Sequence, residues 1–174
     1  MEVQDFRRRL GTALIECGFV KKRATYYRRT TELLWMCELA RVFNGPQLQF
    51  GLGIGVLAHL EQDWPLSNFG DVLFMYGGLG GGLPATAIEA GYEDREIFFA
   101  RALDFGSVRM PDALREDAAE FMSAELCELS RSVITTDDLA RFVKQPVVRP
   151  YFIHKRFTDM RGGGTGFGSS QSKV

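Results

Sequence analysis

Residues Leu48 to Ala58 alternate without interruption: Leu48, Phe50, Leu52, Ile54, Val56 and Ala58 occupy the even positions, and Gln49, Gly51, Gly53 and Gly55 fall among the odd ones. A period of two belongs to an extended strand with one face turned to a core. The run before it, Leu33–Phe43, places Leu33, Trp35, Cys37, Leu39 and Phe43 on one face and Glu38 on the other. Between the two lies Asn44-Gly45-Pro46-Gln47, whose Asn-Gly pair supplies the positive φ angles of a hairpin turn. A third strand is expected over Ala24–Arg29, closed by Thr30-Thr31-Glu32. These segments predict an antiparallel meander with one strongly apolar face.

The three glycines at spacing two weaken a strand, so something is expected to approach the backbone there. Another part of the same chain is the favoured occupant. A small ligand bound on this glycine-lined face, by a binder or an enzyme, is the alternative.

Around the meander the helical period recurs. Val3, Phe6, Leu10, Ala13, Leu14 and Cys17 predict an amphipathic helix over Val3–Cys17, capped by Gly18. A strand at the sheet edge is expected near Val72–Tyr76, and a helix within Glu93–Leu103. A longer helix runs from Pro111-Asp112 to about Arg131, its stripe formed by Leu114, Ala118, Phe121, Met122, Glu125, Leu126 and Leu129. Thr135–Asp138 offers an N-cap for a short helix over Leu139–Lys144. Pro150–Phe157 reads as a last apolar and basic segment that docks on the domain. The expected fold is α+β: an antiparallel sheet of about four strands in the N-terminal half, packed by the N-terminal helix and by C-terminal helices. Residues 1–160 make one domain, and the Gly/Ser-rich stretch 161–174 has the composition of a flexible tail.

A helix ending in Gly-Phe, a Lys/Arg-rich connector, a Tyr-Arg strand, a Trp-containing strand and a strand that begins Gln-Phe and runs into apolar-Gly repeats resemble the start of the bacterial domain-of-unknown-function family numbered 4304. The resemblance covers the first third of the chain, and Leu39-Ala40-Arg41-Val42 stands where that family commonly has a Gln-Lys-Ser type segment. It implies a small α+β protein without assigned enzymatic activity, of a style sometimes found beside bacterial toxins as their neutralising partner.

Charge is distributed unevenly behind a net value of −1. Residues 1–59 hold nine Lys/Arg against five Asp/Glu, 60–130 four against fourteen, and 131–174 eight against three. Either the basic ends neutralise the acidic middle within the fold, or the middle faces a basic partner. Glu116, Asp117, Glu120 and Glu128, lying off the apolar stripe of the long helix, are the candidate partner-binding acids. Asp63, Trp64 and the glycine-rich loop Gly77–Pro84, with Tyr76, Gly78 and Gly80, are further candidate contacts.

Catalytic signatures are missing. The glycine-rich loop lacks the Lys-Ser/Thr of a P-loop, the two histidines His59 and His154 are far apart, and no zinc spacing is present. A triad assembled from Cys37, His59 and a carboxylate is weaker than burial of Cys37 on a strand face. Cys17, Cys37 and Cys127 read as buried thiols of a reducing cytosol, with no disulfide implied. The leading expectation is a cytoplasmic, non-enzymatic protein-binding protein, an immunity-type inhibitor of a cognate toxin or effector domain, with no cofactor and no membrane or nucleic-acid partner. Lys21, Lys22, Arg23, Arg28 and Arg29 among tyrosines leave phosphate contact as a third reading.

Overall fold

The computed structural model describes residues 1–42, 45–60, 70–107 and 109–159. Asp63, Trp64 and the Gly/Ser-rich stretch after residue 160 lie outside them, as do Phe43 and Asn44 of the predicted hairpin turn. The chain runs α1 (Val3–Glu16), β1 (Val20–Lys22), β2 (Thr25–Arg29), β3 (Leu33–Arg41), β4 (Leu48–Val56), a 3-10 turn (Leu57–His59), β5 (Val72–Met75), α2 (Ala85–Glu89), α3 (Arg95–Ala102), α4 (Asp112–Ser132), α5 (Thr136–Phe142), β6 (Phe152–Ile153) and α6 (Lys155–Asp159).

The fold is α+β, and its antiparallel sheet has six strands in the order β1-β2-β3-β4-β5-β6, not about four. The two additional strands form the edges. β1 is exposed at all three positions, so it has no alternation to read, and β6 has two residues. β5 was expected at the edge; β6 covers it there through the pairs Val72↔Ile153 and Leu73↔Phe152.

The register of β3 and β4 accounts for the core. Trp35 lies opposite Ile54, Cys37 opposite Leu52 and Leu39 opposite Phe50, so these side chains share one face. They are buried against Phe6, Leu10 and Leu14 of α1, Phe98 and Phe99 of α3, Met122 and Leu126 of α4, and Leu139 of α5. The opposite face carries a small cluster of Tyr27, Leu34 and Met36, with Leu57 and Leu60 packed against it. Gly55 lies across from Leu34 on that face. A Cβ on Gly55 would lie 3.3 Å from Leu60, and one on Gly70 would overlap the backbone of Gly55, so the chain itself occupies the glycine face at this end. Gly53 is buried and Gly51 half-buried.

α1 ends as its sequence predicts. Gly18 has φ +90, its N–H donates to Ile15 O (2.9 Å), and the N–H of buried Phe19 donates to Leu14 O (3.0 Å). This is the Schellman arrangement, and it satisfies carbonyls that the helix end would otherwise leave bare. The Arg28 guanidinium adds a hydrogen bond to Cys17 O (3.0 Å) and reaches Ser130 Oγ (2.8 Å) on α4. Arg28 therefore tethers helices to the sheet.

Cys17 and Cys127 form a disulfide across 110 residues, with Cα atoms 5.7 Å apart. The expectation of three free thiols is corrected here. The pairing joins the C-cap of α1 to the C-terminal third of α4, a juxtaposition that arises from the docking of two helices distant in sequence. Cys37 alone is free, and complete burial pushes its thiol pKa up.

Candidate functional site

A cleft of ≈ 550 Å³ lies between α1 and the β1–β2 hairpin. Its walls are Arg7, Arg8, Leu10, Gly11, Leu14 and Ile15 of α1, and Lys21, Arg23 and Tyr26 of the hairpin. Cys37, Glu38 and Leu39 of β3 and Phe50 of β4 form the floor. Three local features shape it. Gly11 gives the Tyr26 hydroxyl room, since a Cβ there would overlap it. The tight β1–β2 turn holds Arg23 at φ 57, a left-handed backbone uncommon for a residue with a side chain. Lys21 pairs with Tyr26 across the strands, and its Nζ lies 5.3 Å from the ring centroid.

Four cations therefore border the cleft against one carboxylate, Glu38. The Arg7 guanidinium is held by Leu39 O (3.2 Å), and Arg8 is paired with exposed Asp5 (2.8 Å). The cations lie on three elements, α1, β1 and the turn that follows it, so their convergence is a property of the fold. Lys21 and Arg23 stand out in the sequence as cations among tyrosines, whereas Arg7 and Arg8 belong to a separate element, α1. The missing information was where α1 lies over the hairpin.

Two of the four acidic candidates have a cation of α1 beside them. Arg9 of α1 reaches Glu116 (3.1 Å) and Glu120 (3.6 Å), and the N-terminal ammonium pairs with Asp112. Glu120 also lines a shallower groove of ≈ 420 Å³ with Arg8, Arg9 and Glu16. Asp117 is half-buried and Glu128 exposed. The basic end and acidic middle thus meet along α1 and α4.

Tyr76, Gly78 and Gly80 are brought together, but as packing. Tyr76 is 9% exposed and Gly80 is buried, so neither presents a contact surface. The Gly78 carbonyl accepts from Arg149 N (2.6 Å) of the C-terminal segment, its N–H donates to Met75 O (3.1 Å), and a Cβ there would lie 2.6 Å from Arg149 O. Beneath the loop, Tyr76 Oη donates to Glu125 Oε2 (2.6 Å), and Arg95 pairs with the same carboxylate. Arg95 also donates to Gly82 O (2.6 Å) and lies over the rings of Tyr76, Phe99 and Phe121 at 4.9–5.6 Å. The loop expected to be a partner contact is held at Gly82 by a mostly buried ion pair. Burial pushes the Glu125 carboxyl pKa up, with Arg95 and the Tyr76 hydroxyl opposing it; burial, then the Glu125 charge, pushes Tyr76 up. The available signal was Glu125 on an otherwise apolar stripe.

His59 does find a carboxylate: Nδ1 lies 3.2 Å from Asp71 Oδ1. Asp71 is buried, accepts from Val56 N at Oδ2 (2.8 Å), and its carbonyl accepts from His154 N (2.7 Å). The pair pins the ends of β4, β5 and β6 together. Cys37, paired with Leu52 on the core face, is far down the sheet from it, so the Cys37–His59 triad does not assemble.

Among the described residues no group of three His, Cys, Asp or Glu side chains could hold a metal ion, and no helix is long and apolar enough to cross a membrane. No family model, curated protein or solved structure matches the chain, so the resemblance in the first third stands on its residues alone.

Proposed function

We propose that this chain is a non-catalytic binding protein whose ligand is anionic and enters the cleft between α1 and the β1–β2 hairpin. One observation carries the reading: Arg7, Arg8, Lys21 and Arg23 converge from separate elements on a concavity that holds a single carboxylate. Clefts lined by one sign of charge focus potential and raise the local concentration of the opposite sign. A volume of ≈ 550 Å³ is ample for a small molecule. The reading reverses the sign expected from the sequence, because Glu116 and Glu120 are engaged by Arg9 whereas Arg23 has no ion-pair partner among the described residues. The test is a thermal-shift panel of small carboxylates, phosphates and acidic peptides. At least one class should raise the melting temperature of the native chain and not of Lys21→Met/Arg23→Asn; a panel without effect refutes the proposal.

A second reading keeps the protein-binding, toxin-neutralising role and moves the contact surface. Val147, Tyr151 and Phe152 are 61%, 74% and 49% exposed along the segment that ends in edge strand β6. Exposed aromatics beside Arg149 have the composition of an interface centre. The occupant that charge favours is an acidic protein segment. Tyr151→Ser/Phe152→Ser should abolish capture of a partner retained by the native chain, at unchanged melting temperature. Equal capture would remove this surface.

The reducing cytosol loses its premise with the Cys17–Cys127 bond, since disulfides persist where surroundings are oxidising. An oxidising compartment is the corresponding proposal.

A further inference from the structure

The walls of the cleft narrow the ligand chemistry further, on the reading that the cleft binds an anion. Its cations border it at Arg7, Lys21 and Arg23, while Ile15 of α1 and Ala24 of the β1–β2 turn give it accessible apolar surface. Ile15 lines the cleft and is 52% exposed. A bare inorganic anion would leave that surface wet. A nucleic-acid backbone would bring successive phosphates past Glu38, and it would find no platform for its bases, because Tyr26 is 9% exposed with Lys21 over its ring.

We infer that the ligand is a small organic acid in which one carboxylate is carried on an apolar body, aromatic or medium-chain aliphatic. The carboxylate meets Arg23 and Lys21 at the mouth, and the body lies along Ile15. Burying apolar area and pairing the charge are separable contributions, so analogues lacking one or the other distinguish them.

The experiment is calorimetric titration of the full chain with 2-naphthoate, 2-naphthol and inorganic phosphate. The expected result is one site for 2-naphthoate, with naphthol and phosphate each weaker by about tenfold or more, the loss of roughly 1.4 kcal/mol. Arg23→Asn, which keeps a residue tolerant of the left-handed turn, should weaken naphthoate by about three- to tenfold, as should Lys21→Met. Ile15→Ser, at an exposed position, should weaken naphthoate without changing phosphate. Phosphate binding as tightly as naphthoate, in an Arg23-dependent manner, overturns the apolar body and leaves the anion cleft standing. Naphthol binding as tightly as naphthoate overturns the charge recognition on which both rest. No heat with any of the three at millimolar concentration, from a chain whose melting transition is intact, overturns both.

Discussion

Opening the Cys17–Cys127 bond should be the most damaging single covalent change available to this fold. The bond closes a loop of 110 residues, so in the unfolded chain it removes a large share of conformational freedom. The chain-entropy relation gives about 5 kcal/mol at 25 °C for a loop of this length. A domain of ordinary stability has about 5–15 kcal/mol in total, so the loss is a third of it or more. At about 2–4 °C per kcal/mol for a chain of this size, Cys17→Ser/Cys127→Ser should melt roughly 10–20 °C below the native chain. Two assays check this: urea denaturation of both proteins, and counting of alkylated thiols. Without reductant, no thiol should react in the folded protein and one, Cys37, after denaturation; with reductant, denaturation should expose three. A double variant within about 1 kcal/mol of the native chain, or three reactive thiols without reductant, would refute the reasoning.

Other consequences are sharper at single residues. Glu125→Gln leaves the Arg95 guanidinium, 10% exposed, without its counter-charge, and should destabilise by about 3–5 kcal/mol in denaturant melts, whereas Arg95→Met/Glu125→Leu should cost less. Gly11→Ala forces the Tyr26 hydroxyl aside and should cost about 1–3 kcal/mol, while Thr12→Ala, exposed on the same helix, stays within about 0.5 kcal/mol. Asp138, hydrogen-bonded by Thr135, Arg141 and two backbone N–H groups, has its pKa lowered from 3.8 to about 2. A carboxyl whose folded value is depressed contributes stability that is present above the unfolded value and lost as pH falls through the folded one. The native chain should therefore lose more stability than Asp138→Asn between pH 4 and pH 2; parallel pH curves for the two would contradict the capping assignment.

Much of this fold was legible because local periodicity and packing agree. The alternation of Leu48–Val56 is the buried face of β4, Gly18 ends α1 with a left-handed backbone, and Thr135 and Asp138 form the capping box of α5. What escaped depends on which elements dock together. Cys17 and Cys127 each sit in an apolar-periodic segment, which reads as burial, and only the packing of α1 on α4 makes them partners. The glycine-rich loop looks mobile in composition, because the Arg95–Glu125 pair that holds it comes from two helices downstream. The cleft was half visible: Lys21 and Arg23 stood out as cations among tyrosines, but Arg7 and Arg8 join them only once α1 crosses the hairpin. β6 was hidden by its brevity; the segment docks through the β5–β6 pairs and buried Phe157, while Tyr151 and Phe152 stay exposed.

The most direct test of the anion cleft is a map of backbone amide shifts on titration of 2-naphthoate into the full isotopically labelled chain. The account predicts saturable shifts concentrated at Gly11, Thr12, Lys21, Arg23, Tyr26 and Glu38, with Tyr151 and Phe152 unmoved. Shifts confined to the 147–153 segment, or spread evenly over exposed lysines and arginines, would contradict it.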